Sequence, residues 1–310
     1  MNQKPISVDE QVAFLKSDGM VMDEEMAKLW LSQISYYRLK GYWWDMREGV
    51  SDRRFMPQSA FETVLERYYF DKALRLILFD AIEFIEIALR TKMINYFSVA
   101  TTDSRWYLDA SLFNRKDYHN EHIIRLKKEF DRSKDDAVRA YKENSNWDKN
   151  TLEGDHPDAW LIFEYASLGT LSKIYTNIQH QHPMKAAVSK DFGLYKSNDF
   201  SNWLHSISVV RNIVAHHSRL WNRTLSSTPV VPKSKNIAGL WIKSVLSQDE
   251  KRMPYFVITN IMYLCNAIHP QNDIKQRILS LFASYPQINI SKYGFIRNWN
   301  DEPIWTMRME

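Results

Sequence analysis

Arg211, Asn212, His216 and His217 crowd into one short stretch, RNIVAHHSRLWNR, with no acid among them. A guanidinium grips phosphate through a planar fork, and an imidazole gives or takes a proton near neutral pH. Without metal ligands, such a set suits RNA cleavage by internal transfer. The 2′-hydroxyl attacks the adjacent phosphorus, a histidine moves the proton, and an arginine stabilises charge on the pentacoordinate phosphoryl group. The plain alternative is a solvated basic helix face. The sequence has no HExxH and no acids gathered at ligand spacing, so neither a metal nor another cofactor is expected. His119 and His122 are the nearest approach to a metal pair, and their polar segment places them at the surface.

The surroundings of the stretch are basic. Residues 200–248 contain no Asp or Glu but carry Arg211, Arg219, Arg223, Lys233, Lys235 and Lys243. The whole chain has a formal charge of only +4, so the balance is a global one that hides a local cationic segment. Such a segment attracts anionic partners unless folding brings acids alongside it. Arg219, Arg223, Lys233 and Lys235 are therefore candidate RNA contacts. Arg38, in the aromatic run YYRLKGYWW, is a candidate second phosphate contact. Tyr36, Tyr37, Tyr42, Trp43 and Trp44 of that run could stack on bases, but core packing is the preferred reading.

These residues must be positioned by helices. The chain has 310 residues, yet only 8 Gly and 10 Pro, where average usage gives roughly 22 and 16. No strand alternation persists, so the class is all-α. Ser7 and Glu10 have the spacing of a capping box. Gly19 marks a turn, and a second helix is expected to run toward Gly41. Residues 61–97 lack Gly and Pro and carry Leu74, Ile77, Leu78, Ile82, Ile85 and Leu89 at three- and four-residue spacing. They form one helix, or two broken near Phe70 and Asp71. Glu83, Glu86 and Arg90 share one face, as an intrahelical pair or at a polar seam. Residues 125–150 are charge-mixed and expected to be a solvated helix or a mobile insertion. Pro157 and Asp158 open a helix that Gly169 should end, with Thr170 capping the next. Residues 197–228 should form one long helix containing the histidines.

On that helix, with about 100° per residue, Trp203, Ile207, Val210, Val214 and Trp221 make an apolar stripe. His217 lands at the stripe's edge, where it should pack and where its loss should cost stability. His216, Asn212 and Arg219 face outward. Arg211 stands about 140° from His216, so the two do not converge on one helix. The single cysteine, Cys265, excludes an intrachain disulfide and fits a reducing cytoplasm. The polar start lacks an apolar leader, and no stretch suits a membrane span.

Arg211-Asn212-x-x-x-His216 has the form of the Rx4–6H motif of HEPN domains. With YYRLKGYWW, FDKALRLILFDAIEFIEIALR, PDAW…SLGTLSKIY and the terminal tryptophans, the chain resembles the Abi family of bacterial abortive-infection proteins, the AbiD/AbiF type. The resemblance spans nearly the whole of 1–310 as a single all-α domain. It implies a HEPN-like helical bundle, with its core at 61–228 and additional helices at both ends. It further implies a homodimer in which Arg211 of one copy meets His216 of the other in a composite, metal-independent ribonuclease site. Asn212 would belong to that site, with Glu86, Arg90 and His217 as supporting polar groups. RNA is then the target, cleaved in anti-phage defence, and a protein or cognate small RNA restrains the activity. The alternative is a non-catalytic HEPN protein that docks RNA on its basic helix.

Overall fold

A computed structural model describes residues 5–49, 52–232, 237, 239 and 241–306, and among these every regular element is helical. Three isolated β-bridges are the nearest thing to a sheet. The elements are α1 (Val8–Ser17), α2 (Glu24–Ile34), α3 (Tyr36–Trp43), α4 (Phe61–Thr101), α5 (Lys116–Asp131), α6 (Asp136–Glu143), α7 (Ala159–Ile162), α8 (Leu168–Asn177), α9 (Pro183–Asp191) and α10 (Ser197–Ala215). The short α11 (Gln248–Lys251) follows, then α12 (Pro254–Ile268), α13 (Ile274–Ser284) and α14 (Pro303–Thr306).

The spine is α4, 41 residues without a break at Phe70 or Asp71, about 60 Å long. Its apolar residues are too many for one stripe, and the helix is correspondingly wrapped: α3, α8, α9, α10, α12 and α13 all pack on it. Leu74, Leu78, Ile82, Ile85 and Leu89 are fully buried along it. The helix ends where Thr102 turns left-handed (φ 54°) and returns its N–H to Ser98 and Val99. Against α4, α12 is buried almost throughout, from Pro254 to Cys265.

The capping box at Ser7 and Glu10 is present, with both reciprocal bonds made. The expected helix toward Gly41 is instead two. Ser35 adopts φ 67° and its hydroxyl accepts from the Arg38 N–H at 3.4 Å, so a serine that competes with the backbone caps α3 and redirects it onto α4. Gly169 likewise does not end a helix. Ser167 caps α8, its hydroxyl accepting from the Thr170 N–H, and Gly169 lies inside the first turn. Residues 125–150 hold the end of α5 and all of α6, and Trp147 packs edge-on against Phe130 with its indole N–H donating to Asp131.

The helix carrying the basic stretch stops at Ala215, well short of residue 228. His217 is left-handed (φ 55°), its N–H bonds the Val214 carbonyl at 3.1 Å, and the Ser218 N–H reaches back to Ile213 at 2.9 Å. That is a Schellman motif, usually made by glycine. Residues 216–223 therefore leave the helix axis, and Arg219 and Trp221 do not lie on its faces.

Candidate functional site

The segment after α10 is held by one carboxylate. Asp71 on α4 is fully buried and accepts from the Leu220 and Trp221 amides, from the Tyr42 and Tyr293 hydroxyls, and from Arg75 Nε at 3.2 Å. A buried carboxylate is tolerated only when paired and fully hydrogen-bonded. Burial first, and the Asp71 charge second, hold the Tyr42 and Tyr293 phenols well above their usual range, so both act as donors. Three distant parts of the chain thus converge on one side chain and fix where residues 216–223 lie. In the sequence Asp71 is one of several charged residues of α4, beside Phe70 and Lys72, and nothing in the spacing singles it out.

Arg211 stays on α10 and turns toward α4, where its Nε lies 3.6 Å from a Glu86 carboxylate oxygen. Glu86 also meets Arg90 at 3.5 Å, and Arg90 reaches Glu164 and the Ala166 carbonyl. Burial raises the Glu86 carboxyl above its ordinary value, against the lowering pull of Arg211 and Arg90. Glu86 and Arg90 thereby join Arg211 in one cavity of about 420 Å³, which Glu83 and Phe79 also line. His216 is not part of that cavity. It is exposed at the C-cap of α10, and Asn212 is exposed one turn earlier. His217 is exposed too, rather than packed at the edge of the core, because the left-handed turn carries it off the stripe.

On the other side of the histidines, Arg38, Arg219 and Arg223 come together in a concavity of about 670 Å³, joined by Lys40. Arg38 donates to the His217 carbonyl at 2.7 Å, tying α3 to the turn after α10. Lys40, Tyr37 and Trp44 are its contributions not named as phosphate contacts from sequence. Of the aromatic run, Tyr42 and Trp43 are buried in the core, whereas Tyr37 is 87 % exposed. Lys233 and Lys235 lie outside the described residues.

The acids missing from residues 200–248 are partly supplied by the fold, since Glu86 and Asp71 come from α4. The concavity around Arg38 and Arg219 receives none among its lining residues. His119 is buried, not superficial, with Nε2 2.8 Å from the Tyr107 carbonyl, and burial lowers His122 to about 4. Among the described residues no group of three or more His, Cys, Asp or Glu is placed to hold a metal ion. No described helix is long and apolar enough to cross a membrane.

Along α4, Leu76, Phe79 and Ile87 are exposed on one face, at 60 %, 39 % and 48 %. Phe79 lines both the Arg211 cavity and a second one bordered by Val214, Ala215 and His217. The motif helix therefore ends beside three exposed apolar side chains, with Glu83 exposed between Phe79 and Ile87.

A protein-family model described as Abi-like protein matches residues 29–222, a span that takes in Arg38, Asp71, Glu86, Arg211, His216 and Trp221. No curated protein and no solved structure matches the chain.

Proposed function

The chain belongs to the Abi-like protein family, and from that premise we propose that it is a HEPN-type, metal-independent endoribonuclease of abortive-infection defence. The observation that carries the reading is the division of Arg211 from His216. The arginine is drawn against Glu86 in its cavity, and the histidine stands exposed beyond the helix end. One copy thus presents both groups without joining them. Leu76, Phe79 and Ile87 are exposed on one face of α4 beside them, with Glu83 between Phe79 and Ile87, and that face offers surface to a second copy. In the pair, Arg211 of one copy faces His216 of the other.

The chemistry follows from the groups. The 2′-hydroxyl of the RNA gives its proton to an imidazole as its oxygen bonds phosphorus. The bond from phosphorus to the 5′-oxygen breaks, and that oxygen takes a proton. Arg211 neutralises the charge gathering on the non-bridging oxygens. The products are a 2′,3′-cyclic phosphate and a 5′-hydroxyl.

The basic concavity of Arg38, Arg219 and Arg223 supports a second reading, in which the protein holds RNA without cutting it. The test is cleavage of purified RNA in EDTA by wild type and His216→Ala. Cyclic-phosphate ends from wild type and intact RNA with the variant, which still binds, support catalysis. Mixing Arg211→Ala with His216→Ala chains should then restore cutting, since one intact site forms per mixed pair. Equal binding by both proteins with cutting by neither favours the docking reading.

A further inference from the structure

The concavity beside the histidines has a chemistry of its own. Arg38, Lys40, Arg219 and Arg223 line it, no carboxylate does, and none of the four forms an ion pair among the described residues. Several other arginines have carboxylate partners: Arg67 with Asp45, Arg211 with Glu86, Arg277 with Asp80. The carboxylate behind this wall, Asp71, is already spent on Tyr42, Tyr293, Arg75 and two backbone amides.

The cluster is also built rather than loose. Arg219 lies against Gly41, where a Cβ would come within 2.6 Å of its Nε. One terminal nitrogen of Arg219 donates to the carbonyls of Trp221 and Asn222. Arg223 donates to the Arg219 carbonyl at 3.1 Å, and Arg38 to the His217 carbonyl at 2.7 Å. Each guanidinium spends one nitrogen on the protein backbone, and its remaining N–H groups have no described partner among the described residues. Burial and then the Arg219 charge push Arg223 below the usual guanidinium range. Like charges held together in this way store repulsion that an anion relieves.

An aromatic ring borders this charge. Tyr37 is 87 % exposed and makes no described ring contact, whereas Trp44 is already flanked by Lys40 and Arg47. The volume, about 670 Å³, falls within the range of roughly 300–1,000 Å³ typical of ligand pockets.

We propose that this concavity is a nucleotide pocket: Arg38, Arg219 and Arg223 take the phosphate, and Tyr37 stacks on the base. Guanidinium forks match phosphate oxygens, and a tyrosine face accepts any base. The nucleotide is either free or the end unit of an RNA strand. The second source rests on the proposed function, and since Arg38 holds the His217 carbonyl it seats that unit next to His216.

The experiment uses the full chain and measures binding by calorimetry of 5′-AMP, adenosine, inorganic phosphate and a short 5′-phosphorylated RNA made uncleavable by 2′-O-methylation. The pocket predicts binding of 5′-AMP, none of adenosine, and competition between 5′-AMP and the strand. Arg38→Gln and Arg223→Gln each weaken 5′-AMP by about tenfold or more, the effect of losing one charge-assisted bond. Tyr37→Ala weakens 5′-AMP but leaves inorganic phosphate alone. Arg139→Gln, an exposed arginine on α6, changes nothing. Strand binding without 5′-AMP binding, lost in the same variants, assigns the pocket to RNA alone. Inorganic phosphate binding as tightly as 5′-AMP, with Tyr37→Ala silent, overturns the nucleotide assignment. Binding unaffected by the arginine variants, or absent, overturns the pocket. No turnover is read here, so a failed catalytic reading leaves this result intact.

Discussion

Asp71→Asn keeps the side chain's shape and removes its charge. The carboxylate accepts from five donor groups through two oxygens. The amide keeps one acceptor oxygen and turns two N–H groups toward donors. The Tyr42 and Tyr293 hydroxyls can rotate to accept, but Arg75 Nε and the amides of Leu220 and Trp221 cannot. Hydrogen bonds to a charged group contribute about 1.5–3 kcal/mol each, and removing one partner of a buried ion pair costs about 3–5 kcal/mol. Arg75, with only 6 % of its side chain exposed, is left without its counter-charge. The expected loss is therefore about 3–5 kcal/mol of unfolding free energy. At about 2 °C per kcal/mol for a chain of this size, Tm falls by ~6–10 °C. Thermal unfolding followed by circular dichroism reads it directly. Tyr293→Phe, which deletes one bond and no charge, should lose about 0.5–3 kcal/mol and less than Asp71→Asn. A fall below ~2 °C for Asp71→Asn would refute the idea that this carboxylate holds the histidine turn in place.

His217→Gly should stabilise the fold by about 0.5–1 kcal/mol, because the left-handed conformation costs glycine nothing and the lost imidazole is exposed. A lower Tm for that variant would show that the imidazole packs after all. Glu86 sets a pH dependence. Its carboxyl is raised in the folded chain, which holds a proton the unfolded chain has already lost, so its contribution to stability declines as pH rises above about 4.5. Measured against Glu86→Gln, wild-type stability should fall from there toward neutrality. A difference that is flat or rising with pH contradicts the raised value.

The long apolar helix and the capping box were legible in sequence because each rests on local spacing alone. The end of α10 was not. Its Schellman turn puts a histidine where glycine normally signals the stop, so periodicity carried the helix on to residue 228 and misplaced Arg219, Trp221 and His217. The break at Ser35 was hidden similarly, by a positive φ on a residue that does not advertise one. The residue types of the site were readable, but their grouping was not. Arg38 and Arg219 share a concavity because Arg38 crosses to the His217 carbonyl, 179 positions away. Glu86 meets Arg211 because α10 packs on α4. Lys185 shows the same limit: it is fully buried, donates to the Thr176 and Ile178 carbonyls, and is lowered to about 8 by burial, which no spacing announces.

The same convergence on Asp71 sets a timetable. Its bonds to Leu220 and Trp221 span 149 and 150 positions, and its bond to Tyr293 spans 222. During translation the histidines therefore leave the ribosome roughly 75 residues before their last tether does. At about 5–20 residues per second that is a lag of roughly 4–15 s. Until Tyr293 emerges, the turn that carries His216 lacks a hydroxyl of its anchor. A nascent or prematurely terminated chain displays the whole RNxxxH motif without its finished posture. The posture of the segment is therefore set by a residue made well after it, not by the segment itself.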